Sequence, residues 1–268
     1  MENFRKMAVL GLLVLASVSA WPREATVTSP DGKLQVTVND NDGRATYAVT
    51  LDGMLPSPLG FKADFGDFTQ GMKITGTKAE QIDRRYEMRQ VKQSRMHYVA
   101  TLLTVSFENA QQQKMSMEFS VSNNNVAFRY LIPRQKGDNP KCAVILSEQT
   151  GFRLPEGTTT FLTPQSGEMV GWERTKPSYE EDYRADAPMT ECSQFGKGYT
   201  FPCLFGLPLT PSKGRGDRGW VLVSETGVSS AYCGSRLSDF QEGVGYAIAY
   251  PMPGENNGNG TVEPAMAL

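Results

Sequence analysis

The chemistry this chain can offer is concentrated in one segment, Gly171-Trp172-Glu173-Arg174-Thr175-Lys176-Pro177-Ser178-Tyr179-Glu180-Glu181-Asp182-Tyr183. Four carboxylates, Glu173, Glu180, Glu181 and Asp182, share it with three aromatic rings, Trp172, Tyr179 and Tyr183, and Pro177 breaks it. Hard cations such as calcium take oxygen ligands, so a carboxylate on a loop can supply part of such a shell. Aromatic rings beside carboxylates also suit sugars, whose C–H faces stack on rings while their hydroxyls bond to oxygens. The alternative is a solvated acidic turn flanked by two tyrosines that pack on a sheet.

Other residues that could do chemistry are sparse. The chain has one histidine, His97. Multi-histidine zinc sites are thereby excluded, and a serine–histidine–aspartate arrangement would have to be built on this residue. His97 shares a face with Val99, Leu103, Val105 and Phe107, which predicts a histidine satisfied inside a core rather than a catalytic one. Residues Gly214, Gly216 and Gly219 match a G-x-G-x-x-G pattern. A dinucleotide site needs those glycines after a strand and opening a helix. Here they precede a strand pattern at 220–224, so the stretch reads as a loop, and its Arg215-Gly216-Asp217 tripeptide as a chance occurrence. Asn259-Gly260-Thr261 is a glycosylation sequon that matters only in a host performing that modification.

The charge balance narrows the partners. Twenty-seven Lys and Arg against twenty-nine Asp and Glu leave a net charge of −2, without the basic excess that nucleic-acid binding needs. A mean hydropathy of −0.38 with one apolar stretch, at the N-terminus, excludes a polytopic membrane protein. That stretch has the order of a secretory signal. Arg5 and Lys6 precede an apolar run at 7–16, and Val18-Ser19-Ala20 offers the small residues of a cleavage site. Residues 1–20 are therefore expected to be a signal peptide, with a mature, exported chain of 21–268 starting at Trp21 and no membrane span after cleavage. No cysteine follows the run to take a lipid anchor. Cys142, Cys192, Cys203 and Cys233 form no C-x-x-C pair, which excludes zinc-ribbon and thioredoxin patterns. In an oxidising compartment they allow three full pairings, with Cys192 and Cys203 nearest in sequence; buried free thiols are the equal alternative.

The elements that must position these residues are strands. Residues 34–38 alternate apolar and polar up to Asp42-Gly43, and Ala45, Tyr47, Val49 and Leu51 alternate again up to Asp52-Gly53. Glycine and aspartate tolerate the positive φ of tight turns, so this is an antiparallel hairpin pattern. Further period-2 runs cover 97–107, 115–121 and 126–132, with later candidates at 220–224, 229–233 and 244–250. Many short strands, together with 26 Gly and 16 Pro, predict one large antiparallel β-sandwich. Only the window 78–93 is compatible with a helix, and it lacks an apolar stripe.

The string Thr175-Lys176-Pro177-Ser178-Tyr179-Glu180-Glu181-Asp182-Tyr183 resembles the tyrosine–glutamate loop in the N-terminal domain of glycoside hydrolase family 97. Three stretches agree in the family's order: Ser29-Pro30-Asp31-Gly32-Lys33-Leu34, Pro56-Ser57-Pro58-Leu59-Gly60, and the Pro253-Gly254-Glu255-Asn256-Asn257-Gly258 run continuing to Pro264. The resemblance implies an all-β, galactose-mutarotase-like super-sandwich from an exported, periplasmic enzyme that cleaves α-glucosides or α-galactosides, with calcium near the substrate. It implies a loop glutamate reaching a catalytic (β/α)₈ barrel to help bind calcium, mapping best to Glu180 with Glu181 the rival. On the segment's composition, Trp172, Tyr179 and Tyr183 are the expected sugar contacts. The family's catalytic carboxylates lie in the barrel, which needs on the order of 200 residues beyond this domain. The expectation is a non-catalytic, carbohydrate-associated domain, truncated or detached, with weak calcium binding alone. The alternative is an independent sandwich-type carbohydrate-binding module. A mutarotase, which relies on paired histidines, fails on the histidine count.

Overall fold

The computed structural model describes residues 24–50, 56–133, 144–166, 181–208, 219–227 and 235–250, together with the strand Met266–Ala267. The expected leader at 1–20, the turn at 51–53, residues 171–180 of the acidic–aromatic segment, the glycine loop at 214–218, the candidate strand at 229–233, the stretch 253–264, and Cys142 and Cys233 lie outside them.

Among the described residues, four antiparallel sheets build the fold. The first has the order β1 (Glu24–Thr28), β2 (Gln35–Asn39), β3 (Thr46–Thr50), β4 (Ser57–Pro58). Its inward alternation follows the sequence: Ala25, Val27, Val36, Val38 and Tyr47 are buried while their neighbours are not. The β2–β3 connection takes left-handed backbone at Asp42 (φ 55°) and Gly43 (φ 70°), as the Asp-Gly pair predicts. At Gly43 a side chain would also meet the Gly71 backbone at 3.4 Å.

The second sheet runs β10 (Val126–Leu131), β9 (Lys114–Val121), β8 (Arg95–Glu108), β7 (Lys73–Glu87). The window 78–93 is therefore not helical but the outer part of β7 and its turn. β7 pairs with β8 from Lys73↔Glu108 to Glu87↔Arg95, and cross-strand pairing decides over local propensity. β9 pairs with β8 only between Thr101 and Glu108, so the far end of the hairpin is a two-stranded ribbon. His97 lies on that ribbon and is exposed, contrary to the core role its apolar-face pattern predicts. Leu103, Val105 and Phe107 on the same face are buried, but the layer covering them ends before His97.

A third sheet has the order β19 (Met266–Ala267), β11 (Val144–Glu148), β5 (Phe61–Ala63), β6 (Gly66–Asp67). The fourth is seven-stranded. Its path is β12 (Gly151–Phe152), β18 (Tyr246–Ala249), β17 (Arg236–Leu237), β15 (Tyr199–Gly206), β13 (Thr159–Pro164), β14 (Arg184–Pro188), and β16 (Trp220–Val223) pairs with β15 off that path.

Two hydrophobic clusters lie between these layers. The larger gathers Val36, Tyr47, Phe61, Phe68, Phe107, Met117 and Phe119; the smaller gathers Leu162, Cys203, Phe205, Leu237 and Tyr246 under the seven-stranded sheet. Phe128 and Ile248 pack against both, so the sandwich has one continuous interior. Tyr47 sits 5.5 Å from Phe128 between ring centroids and donates its hydroxyl to the Gly151 carbonyl at 2.9 Å. That bond lets a fully buried tyrosine keep its polar end satisfied while joining the first sheet to the fourth.

Candidate functional site

The described part of the acidic–aromatic segment, residues 181–183, leads directly into β14. Tyr183 lies on the outer side of the seven-stranded sheet, 57% exposed, and stacks on Phe161 with centroids 5.1 Å apart and planes at 19°. Glu181 is half-buried and Asp182 exposed. Arg184 anchors the strand start through a 2.7 Å contact from Nη2 to Glu191 Oε1. Trp172, Tyr179 and Glu180 fall outside the described residues, so of the expected sugar-binding set the structure places Tyr183 alone. Among the described residues no three His, Cys, Asp or Glu side chains gather as a metal-binding group.

The same outer face carries side chains that sequence reasoning missed. Phe161 of β13 is opposite Leu204 of β15, which is opposite Leu222 of β16; one apolar row crosses three strands. Trp220, at the start of β16, is 57% exposed and Leu222 62%. Asp186 takes left-handed backbone (φ 52°) beside the register shift between Thr160 and Phe161. Thr159 donates its hydroxyl to Asp186 Oδ1 at 3.2 Å. These residues and Trp220 edge a shallow depression of ≈ 150 Å³. The signal for it was weak because each residue comes from a different strand.

A second polar assembly lies inside. Gly60 N–H donates to Tyr130 Oη at 2.9 Å, and Tyr130 Oη meets Thr150 Oγ1 at 2.7 Å. Thr150 donates to Glu148 Oε1 at 2.6 Å and Tyr250 to Glu148 Oε2 at 2.7 Å. Because Thr150 spends its proton on the carboxylate, the Tyr130 hydroxyl donates to Thr150, and the chain of bonds has one direction. Burial pushes the Glu148 carboxyl above its ordinary range, and the negative charge of Glu225 adds to this; the two hydroxyl donors pull the other way. Both carboxyl oxygens are engaged within the protein, so this is an internal brace and not an open acid.

His97 Nε2 lies 2.8 Å from Asp83 Oδ1 on the exposed ribbon. Cys192 is an exposed free thiol and Cys203 a buried one, so the nearest pair in sequence is not bridged. Burial pushes the Cys203 thiol up to about 12, which keeps it protonated and unreactive.

The family model of the glycosyl-hydrolase 97 N-terminal domain matches residues 27–254. The chain belongs to this family. The resemblance carried by the tyrosine–glutamate loop and its three companion stretches is thereby borne out. Among solved structures, this family 97 domain is similar to a β-arabinopyranosidase at 53% identity and a TM-score of 0.82, covering 91% of this chain and 38% of that one. It also shares its fold with a family 97 enzyme from Pseudoalteromonas sp. strain K8 in complex with acarbose, at 19% identity and a TM-score of 0.63, covering 84% of this chain and 32% of that one. A probable retaining α-galactosidase from Streptomyces bingchenggensis (strain BCW-1) is 26% identical over 242 residues, 86% of this chain and 33% of that protein. The chain thus spans about a third of the curated relative it matches. The all-β architecture agrees with the super-sandwich expected from the sequence.

Proposed function

We propose that this chain is the non-catalytic, carbohydrate-associated N-terminal domain of a family 97 glycoside hydrolase of the exported, periplasmic type, acting on α-linked galactosides or glucosides. The observation that supports it most is the family match over 27–254 in a domain whose relatives are longer glycosidases. Between the two sugars, the relatives' names favour a galactose-like substrate. Arabinopyranose of the L series presents the ring hydroxyls of galactose without its hydroxymethyl group, so one pocket shape serves both.

Glycoside hydrolysis needs an acid and a nucleophile or base on opposite sides of the anomeric carbon. In this reading the barrel of the full-length enzyme supplies both. The domain contributes the loop of residues 171–183, with Glu180 giving one carboxylate oxygen to calcium and Trp172, Tyr179 and Tyr183 contacting sugar. Calcium takes six to eight oxygens and would polarise and orient groups near the substrate. A single loop carboxylate fits part of such a shell, and neighbouring side chains on an extended segment point to opposite faces. Binding by the domain alone is therefore weak, on the order of millimolar.

The test is an assay of the purified chain against aryl α-galactoside, α-glucoside and β-arabinopyranoside. We expect no turnover. Hydrolysis that survives purification and disappears on changing Glu180 or Glu181 would overturn the reading. A second reading, an independent carbohydrate-binding module, is favoured by the exposed aromatic side chains of the seven-stranded sheet, Trp220 and Phe161 above all.

A further inference from the structure

We propose that the free end of the β7–β8 ribbon, residues 82–100, is a docking arm that seats on the acidic body of a second copy of this chain. Tyr86, Met88 and Val91 are its apolar contact, and Arg84, Arg85, Arg89 and Lys92 its charged one. The contact is independent of any sugar that the domain binds.

The ribbon is built unlike the rest of the sandwich. β9 stops covering β8 at Thr101, while β7 and β8 stay paired to Glu87↔Arg95. The Met88 N–H then donates to the Ser94 carbonyl at 2.7 Å, carrying the ladder into the turn. At 3.3 Å per residue the arm reaches roughly 20 Å past the third strand. A two-stranded hairpin with both faces in water is marginal by itself and is normally steadied by a further strand or a packed face. Residues 83–95 are all exposed.

Its two faces differ in a way that selects the partner. Side chains directly opposite in an antiparallel pair share a face. One face carries Asp83, Arg85 and Glu87 with Val99, His97 and Arg95 opposite. The carboxylates there are already spent: Glu87 meets Arg95 at 3.4 Å and Asp83 meets His97 at 2.8 Å. The other face carries Ile82, Arg84 and Tyr86 with Ala100, Tyr98 and Met96 opposite, and has no carboxylate. Tyr86 is 45% exposed, and Met88 and Val91 at the turn are 38% and 45% exposed. Tyrosine, methionine and arginine are the side chains enriched in protein interfaces, and tyrosine and arginine carry much of their binding energy. Among the described residues Arg84, Arg85, Arg89 and Lys92 make no ion pair.

Charge points to a copy of the same chain. Residues 83–95 hold five Lys and Arg against two carboxylates, a net charge of +3, whereas the whole chain is −2. Everything outside the ribbon therefore sums to −5. Arm against arm would set like charges together, while arm against body sets opposite ones together, which favours encounter and orientation. A two-fold axis makes that contact twice and closes the assembly as a dimer. A polyanion would satisfy the cations but leave Tyr86, Met88 and Val91 in water.

The test is sedimentation velocity of the full chain over a concentration series at low and high salt. We expect a reversible monomer–dimer equilibrium that weakens as salt screens the charges. Tyr86→Ala and Arg84→Glu should each raise the dissociation constant at least about tenfold, with the β circular dichroism spectrum unchanged. Lys114→Glu, the same charge change at an exposed site on β9, should move it by no more than about twofold. Should Tyr86→Ala fail to fold, Arg84→Glu and Arg89→Glu carry the test. A chain that stays monomeric at every concentration, or one whose self-association is the same in the ribbon variants, would overturn the proposal. Retention of a monomeric chain on immobilised heparin that Arg84→Glu abolishes would overturn it in favour of a polyanion; either failure leaves the family reading standing.

Discussion

The two halves of this sandwich bury their inner faces alike and treat their outer faces differently. In the first, residues 24–132, outward positions of β9 are Ser116, Glu118 and Ser120, and Glu118 is met by Arg129 of β10 at 2.7 Å. In the second, residues 144–250, the outward row is Phe161, Leu204 and Leu222, with Tyr183 and Trp220 beside it. Burial of the inner alternates suffices to fold both. The outward positions of β9 in the first half are polar, whereas the second half leaves the apolar side chains of Phe161 and Leu222 exposed.

The largest expected effect lies in the core of the first half. Phe119→Ala removes a fully buried ring that packs on Tyr47 and Phe128 and should cost about 3–5 kcal/mol in urea unfolding. Leu222→Ala, on the outer face of the second half where Leu222 is 62% exposed, should stay within roughly 0.5 kcal/mol. A loss there as large as for Phe119 would erase the distinction between the halves.

Glu148, which braces the junction of the halves, sharpens the comparison through pH. Its carboxyl is raised by burial above the ordinary value of 4.5, so the folded state holds the proton more tightly than the unfolded one. That stabilisation is fully present below the unfolded value and is lost as pH rises through the raised folded value. Glu148→Gln carries no ionisable proton here. The stability difference, variant minus wild type, should therefore grow in the variant's favour on going from pH 4 to pH 8. A difference that stays flat, or runs the other way, would show that the hydroxyl donors outweigh burial.

Smaller effects close the series. Arg129→Ala removes an exposed ion pair, with the Arg129 side chain 71% exposed, and should cost no more than about 1 kcal/mol, less in high salt. His97→Ala breaks an exposed contact to Asp83 and should change the thermal midpoint by no more than about two degrees, for a surface change of under roughly 0.5 kcal/mol.

What the sequence makes legible follows the same division. The strands around Val36, Tyr47, Val105, Met117 and Phe128 announce themselves, because each has one wet face and one dry face and so alternates cleanly. β7 does not, since beyond Gly76 nearly all its side chains are exposed on both faces and no period survives to be read. β13 to β15 are obscured by register shifts at Phe161, which move side chains off strict alternation. The loop at 171–183 was legible as chemistry through its composition, yet of its expected sugar contacts only Tyr183 is placed. The Glu148 brace was invisible, because Gly60, Tyr130, Thr150 and Tyr250 converge from distant positions with no spacing rule to connect them.

The fifteen-residue β7 is the edge of its sheet, and among the described residues it pairs with β8 alone. A strand of that length with one open side is a template on which another chain could add itself, the first step of ordered aggregation. Its sequence guards against this: Lys73, Lys78, Glu80, Asp83, Arg84, Arg85 and Glu87 place charge along the open side and around it. Both signs are present in close succession, so an incoming copy in most registers would bury charge that it cannot match. During folding, such a guarded edge keeps the half-built sheet from pairing with other copies before the rest of the sandwich closes.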